Sequence, residues 1–149
     1  MANVVPYSFA LELLKGTHNF TSNTIKLALY AAGSGAPYTV SSTAYSSGVA
    51  NQVGTSGTGY TTGGNTLSNP VVANQTNVAT LTFDQTQWSS ATFGAAYGVI
   101  YNNSASDKLV VVLDFGGTKS CSNGTFTITF PSTSSGTPAG TDSLISITS

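Results

Sequence analysis

The chain has 149 residues, with four lysines, no arginine, five acids and one histidine, for a formal net charge of −1. Charged residues make up 6% of it, against about 25% in an ordinary globular protein, and that shortage excludes whole classes of function. Nucleic-acid binding rests on clustered Lys and Arg, a polybasic membrane patch needs the same groups, and no apolar run approaches the ~20 residues that span a bilayer.

The length fits one domain, residues 1–149, able to bury roughly 70% of its unfolded surface without staples. Cys121 stands alone, so no internal disulfide forms, and it is expected to be an inert residue beside a turn. Residues 1–16 show no positive region ahead of an apolar one, so no secretory signal is visible. The sequons at Asn19, Asn74, Asn102 and Asn123 are expected by chance in a Ser/Thr-rich chain and carry no weight. Solubility must come from hydroxyl and amide side chains, and a nearly neutral surface repels its own copies weakly. Such a composition suits packing into an assembly.

In chain order, the spacing predicts one helix over residues 6–15. Tyr7, Ala10, Leu11 and Leu14 recur at the helical period, and Phe9 and Leu13 broaden the apolar face. Pro6 suits the first turn and Gly16 a C-terminal cap. So short a helix must dock, either on its own sheet or on a partner subunit. Ile25, Leu27 and Leu29 alternate as in a half-buried strand. Residues 39–45 are a weaker strand candidate. Residues 46–64, rich in Gly, Ser and Thr, read as a long surface loop around Tyr60. Strands are expected at 78–83, 93–101, 109–115, 125–130 and 144–148. Turns are expected at Gly116-Gly117, at Ser122-Asn123-Gly124 and over 131–140. The apolar run 109–113 reads as a strand covered on both faces, and 102–107 as a hairpin connection. The fold class is mainly β: an antiparallel sandwich or barrel, jelly-roll or immunoglobulin-like, with one short N-terminal helix.

Chemistry has little to work with. His18 is the only imidazole, with no nucleophile motif around it, and is expected to be structural. His18 and Cys121 lie far apart, and the acids Glu12, Asp84, Asp107, Asp114 and Asp142 lack metal-site spacing. A carboxylate pair such as Asp84 and Asp114 would need folding to join it. Gly116-Gly117-Thr118-Lys119-Ser120 matches a phosphate loop only loosely, and Gly57-Thr58-Gly59 lacks the third glycine of a dinucleotide loop, so both read as turns. Trp88, Tyr97 and Tyr101 are assigned to the core, the alternative being an exposed sugar- or protein-binding patch. No catalytic, cofactor-binding or metal-ligating residue is assigned, and no cofactor is expected.

One resemblance spans most of the chain. Gly16-Thr17-His18-Asn19-Phe20 followed by residues 24–30 resembles the opening of a family of small tailed-phage virion proteins. Residues 59–65, Trp88-Ser89-Ser90-Ala91, Ile100-Tyr101-Asn102, Leu113-Asp114-Phe115-Gly116 and Asn123-Gly124-Thr125-Phe126 continue it in order. The resemblance implies a non-enzymatic structural part of the particle, made in the host cytoplasm and placed on the capsid exterior as a decoration (cement) protein. The major capsid protein would be its partner, homotrimers the expected oligomer, and the loop 46–64 and arm 1–6 the parts that reach a neighbour. A tail, connector or fibre-associated subunit is the alternative within that class, and a carbohydrate-binding β-sandwich the alternative outside it.

Overall fold

A computed structural model describes residues 3–33, 35–75, 78–131 and 144–148. The expected turn over 131–140 lies, beyond Pro131, outside them. The elements are helix α1 (Tyr7–Leu14) and strands β1 (Ile25–Tyr30), β2 (Asn65–Thr66), β3 (Val71–Gln75), β4 (Val78–Thr82), β5 (Thr86–Asn102), β6 (Lys108–Ile128) and β7 (Ile145–Thr148). They form two antiparallel sheets, ordered β2-β1-β5-β6 and β3-β4-β7, as expected of a mainly β, sandwich-like fold.

The four-stranded sheet is the middle layer. Ile25, Leu27 and Leu29 of β1 pack with Ile100, Val110 and Val111 towards the second sheet and α1. Ala28 and Tyr30 point the other way and pack with Val99, Tyr101, Leu109 and Val112 under an irregular segment that supplies Tyr38 and Tyr45. β1 is therefore buried on both faces, where half-burial was expected. β6 is an edge strand by order, yet Leu109–Val112 are 2% exposed or less. Its open edge is partly covered, because Val4 bridges to Val112 and Ala44 to Lys108. The candidate strand 39–45 contributes only that last bridge.

The two expected turns at Gly116-Gly117 and Ser122-Asn123-Gly124 are instead strand interior. β5 and β6 pair from Asn102↔Lys108 to Thr86↔Ile128, with register shifts between Trp88 and Ala91, Ala91 and Phe93, and Ala95 and Tyr97. Between Ala95↔Lys119 and Tyr97↔Asp114 the extra residues sit on β6, and Gly116 (φ +70) and Gly117 (φ +130) take the left-handed conformations this needs. Bulges use the same residue types as turns, and here the chain does not reverse. The hairpin at 102–107 forms as expected, through a short 3-10 turn, Asn103–Ala105.

Helix α1 ends in a Schellman motif. The Thr17 N–H reaches the Glu12 carbonyl, the Gly16 N–H reaches that of Leu13, and Gly16 has φ +69. Its rotation differs from expectation. Phe9 and Glu12 are buried and Leu13 is partly buried, whereas Tyr7 (74% exposed), Leu11 (53%) and Leu14 (89%) face outward. The bridge from Val4 to Val112 and the bond from the Tyr7 N–H to the Val40 carbonyl fix how the chain enters the helix, and so its rotation.

Candidate functional site

Two regions merit functional scrutiny: the surroundings of His18, where ionisable groups meet, and the outer side of α1, where apolar groups lie open.

His18 follows the helix cap and is buried against Phe9 and Phe20, stacking on Phe20 at 9° between ring planes. Its Nε2 lies 3.1 Å from Glu12 Oε2, and its Nδ1 lies 3.1 Å from Asn102 Nδ2. That Asn102 nitrogen also donates to Asn23 Oδ1 at 2.8 Å, and Asn23 Oδ1 accepts from the Asn19 N–H. The carboxamide is therefore held nitrogen-first towards the ring. Nδ1 must accept, which leaves the proton on Nε2, donated to Glu12. The other Glu12 oxygen meets Lys108 Nζ at 3.4 Å. Asn102 Oδ1 is buried with no hydrogen-bond partner among the described residues.

This cluster ties α1 and its following loop to both strands of the β5–β6 hairpin where they meet its connection, at Asn102 and Lys108. The His18 side chain has no exposed surface. Both ring nitrogens are engaged, and neither of those contacts is a hydroxyl or thiol. The geometry holds a helix in place and leaves no nitrogen to activate a nucleophile. The sequence marks His18 as structural; Glu12, Asn23, Asn102 and Lys108 are its partners only through folding, since Asn102 lies far along the chain.

The other sequence candidates are dispersed. Asp84 accepts a hydrogen bond from Asn69 Nδ2, while Asp114 accepts one from the Gly116 N–H. Among the described residues, no three His, Cys, Asp or Glu side chains converge as metal ligands. Cys121 is partly exposed with a free thiol. Residues 116–120 run inside β6 and open no helix, so they form no phosphate loop. Trp88 and Tyr101 are core residues, 4% and 2% exposed, and Tyr97 is half-buried.

Tyr60 is the residue the sequence reading misplaces most. The segment 46–64 is irregular, as expected, but it is clamped down rather than projecting. Tyr60 is 3% exposed, and its hydroxyl accepts from the Leu29 N–H at 3.0 Å and from Gln52 Nε2 at 3.1 Å. The Tyr101 hydroxyl donates to the Gly63 carbonyl at 2.9 Å, and the Tyr45 and Tyr101 rings stack with centroids 4.1 Å apart. A Cβ on Gly64 would lie 1.8 Å from the Leu27 carbonyl oxygen. Burial raises the hydroxyl pKa of Tyr30, Tyr45, Tyr60 and Tyr101, so all four stay protonated.

The outer side of α1 is different in kind. Between the helix and the second sheet runs a groove walled by Val5, Ala10, Leu13 and Leu14 on one side and Ile145 and Ile147 on the other. A second hollow continues it to Val72, Ala79 and Leu81, over Phe9 and Phe20. Val72 pairs with Leu81, and Leu81 with Ile145, so these residues share the sheet face that looks towards the core. The sheet overhangs its cover: Val72 is 55% exposed and Ile147 56%. No side chain named here is charged.

Comparison with protein-family models, curated proteins and solved structures finds no match to this chain.

Proposed function

We propose that this chain is a structural, non-catalytic subunit of a tailed-phage virion, a decoration protein that binds the exterior of the major capsid lattice and stabilises it. The observation that carries the assembly part of the reading, a subunit built to be covered by a neighbour on the particle, is the broad apolar face over α1 and the second sheet, unpartnered among the described residues, on a molecule almost without charge. Monomeric proteins seldom leave such a surface open. Binding that favours the assembled lattice stabilises it by mass action. The ordered resemblance to small virion proteins supports the same assignment, and so does the engagement of His18 and Glu12 in holding the helix. Burial of Trp88 and Tyr101 weighs against a sugar-binding platform, which needs its aromatics outside.

Quantitative mass spectrometry on gradient-purified particles of the encoding phage tests the proposal. A copy number comparable to that of the capsid subunit is expected. Absence from the particle would remove the virion reading, and a copy number matching a single ring would move the chain to a tail or connector.

A further inference from the structure

We infer that the apolar face of α1 seats a second copy of this chain, the helix ridge of one copy lying in the helix–sheet groove of the other. The inference rests on the assembly reading above and names the partner for its main surface. Three observations favour a second copy as occupant. The first is area. Val5, Tyr7, Leu11, Leu14, Val72 and Ile147 are each 46–89% exposed. Together these fractions leave on the order of several hundred Å² of mostly apolar surface, comparable with the ~800 Å² per partner of a standard interface.

The second is shape. Tyr7, Leu11 and Leu14 form a ridge along the helix, and the groove beside it is lined by Val5, Ala10, Leu14, Ile145 and Ile147. A ridge and a groove side by side on one surface are self-complementary: rotation about an axis parallel to the helix brings each ridge over the other copy's groove. The third is charge. These walls carry no ionisable side chain, and at net charge −1 the chain repels its own copies weakly. An apolar ridge entering an apolar groove needs no charged partner.

Sedimentation velocity of the full chain, from about 1 to about 300 µM, tests this, with half-assembly expected at or below about 100 µM. Leu14→Glu places a carboxylate in the contact twice and should raise the dissociation constant at least ~30-fold. Circular dichroism should be unchanged, because Leu14 is 89% exposed in the monomer. Val71→Glu, an exposed apolar position on the opposite face of the second sheet, should leave association intact. A wild-type chain monomeric throughout, or association lost equally in both variants, overturns the inference. Mixing each protein with undecorated capsids separates the two proposals. Self-association without attachment keeps the second-copy contact and removes the capsid assignment, whereas attachment by a persistent monomer does the reverse.

Discussion

The central sheet has two covers, and they are finished to different degrees. On one face an irregular segment closes over Tyr30, Val99 and Tyr101, and part of its loose backbone is satisfied by tyrosine hydroxyls, Tyr38 meeting both backbone groups of Ser46 and Tyr101 donating to the Gly63 carbonyl. On the other face a regular sheet and a helix close over Ile25, Leu27 and Leu29, but the cover overhangs, leaving Val72, Ile147 and Leu14 open. An irregular layer has no ladder of its own and must find a separate partner for each buried backbone group, from side chains or from the strands it lies on, so it is built to fit one surface. A regular layer meets its own backbone needs and can run past the core. The unfinished cover is the surface to which the proposal above assigns a second copy.

That contrast can be broken from either side. The largest effect is expected from Gly64→Ala. At φ +72 and 1.8 Å from the Leu27 carbonyl oxygen, a methyl group must displace backbone. A loss above about 4 kcal/mol in urea unfolding would mark the irregular cover as tightly seated. Phe9→Ala, on the buried side of the helix, should cost about 3–4 kcal/mol by the same measurement. A much smaller loss would mean that α1 is not part of the core.

Alkaline titration probes the buried tyrosines as a group. Burial raises the folded pKa of Tyr30, Tyr45, Tyr60 and Tyr101 above the unfolded value of about 10. Their contribution is complete below that pH and is lost as pH rises beyond it, since only the unfolded chain ionises readily. Absorbance at alkaline pH should show these hydroxyls ionising together with unfolding; ionisation within a still-folded protein would contradict it. Tyr60→Phe strips the Leu29 N–H of its acceptor and should cost about 1–3 kcal/mol. The smallest effect belongs to the open side: Leu14→Glu should change unfolding free energy by no more than ~0.5 kcal/mol under conditions where the chain is monomeric.

The parts legible in sequence are those written in local spacing. Strand alternation at Ile25–Leu29 and Phe126–Phe130, the Pro6 and Gly16 helix signals and the 102–107 hairpin follow from backbone preference and period alone. Most failures share one cause, which is that a distant segment decides the outcome. Gly116-Gly117 and Asn123 supply positive φ for a turn or a bulge alike, and pairing with β5 selects the bulge. Two apolar stripes occur on α1, and the Val4–Val112 bridge selects which faces inward. β3 is hidden for a local reason: Val71–Gln75 has only two valines before it turns polar. Tyr60 sits among Gly and Thr, where nothing local announces a buried ring. The cluster around His18 was legible only as an absence of nucleophile partners; its contacts with Glu12 and Asn102 arise when α1 docks on the hairpin.

The most direct test is a cryo-EM map of the intact particle at side-chain resolution. Many copies on the capsid exterior are expected, each with Tyr7, Leu11, Leu14, Val72 and Ile147 buried against another copy and the tyrosine-lined cover making no essential contact. A map in which that apolar face is open to solvent in every copy would contradict the account.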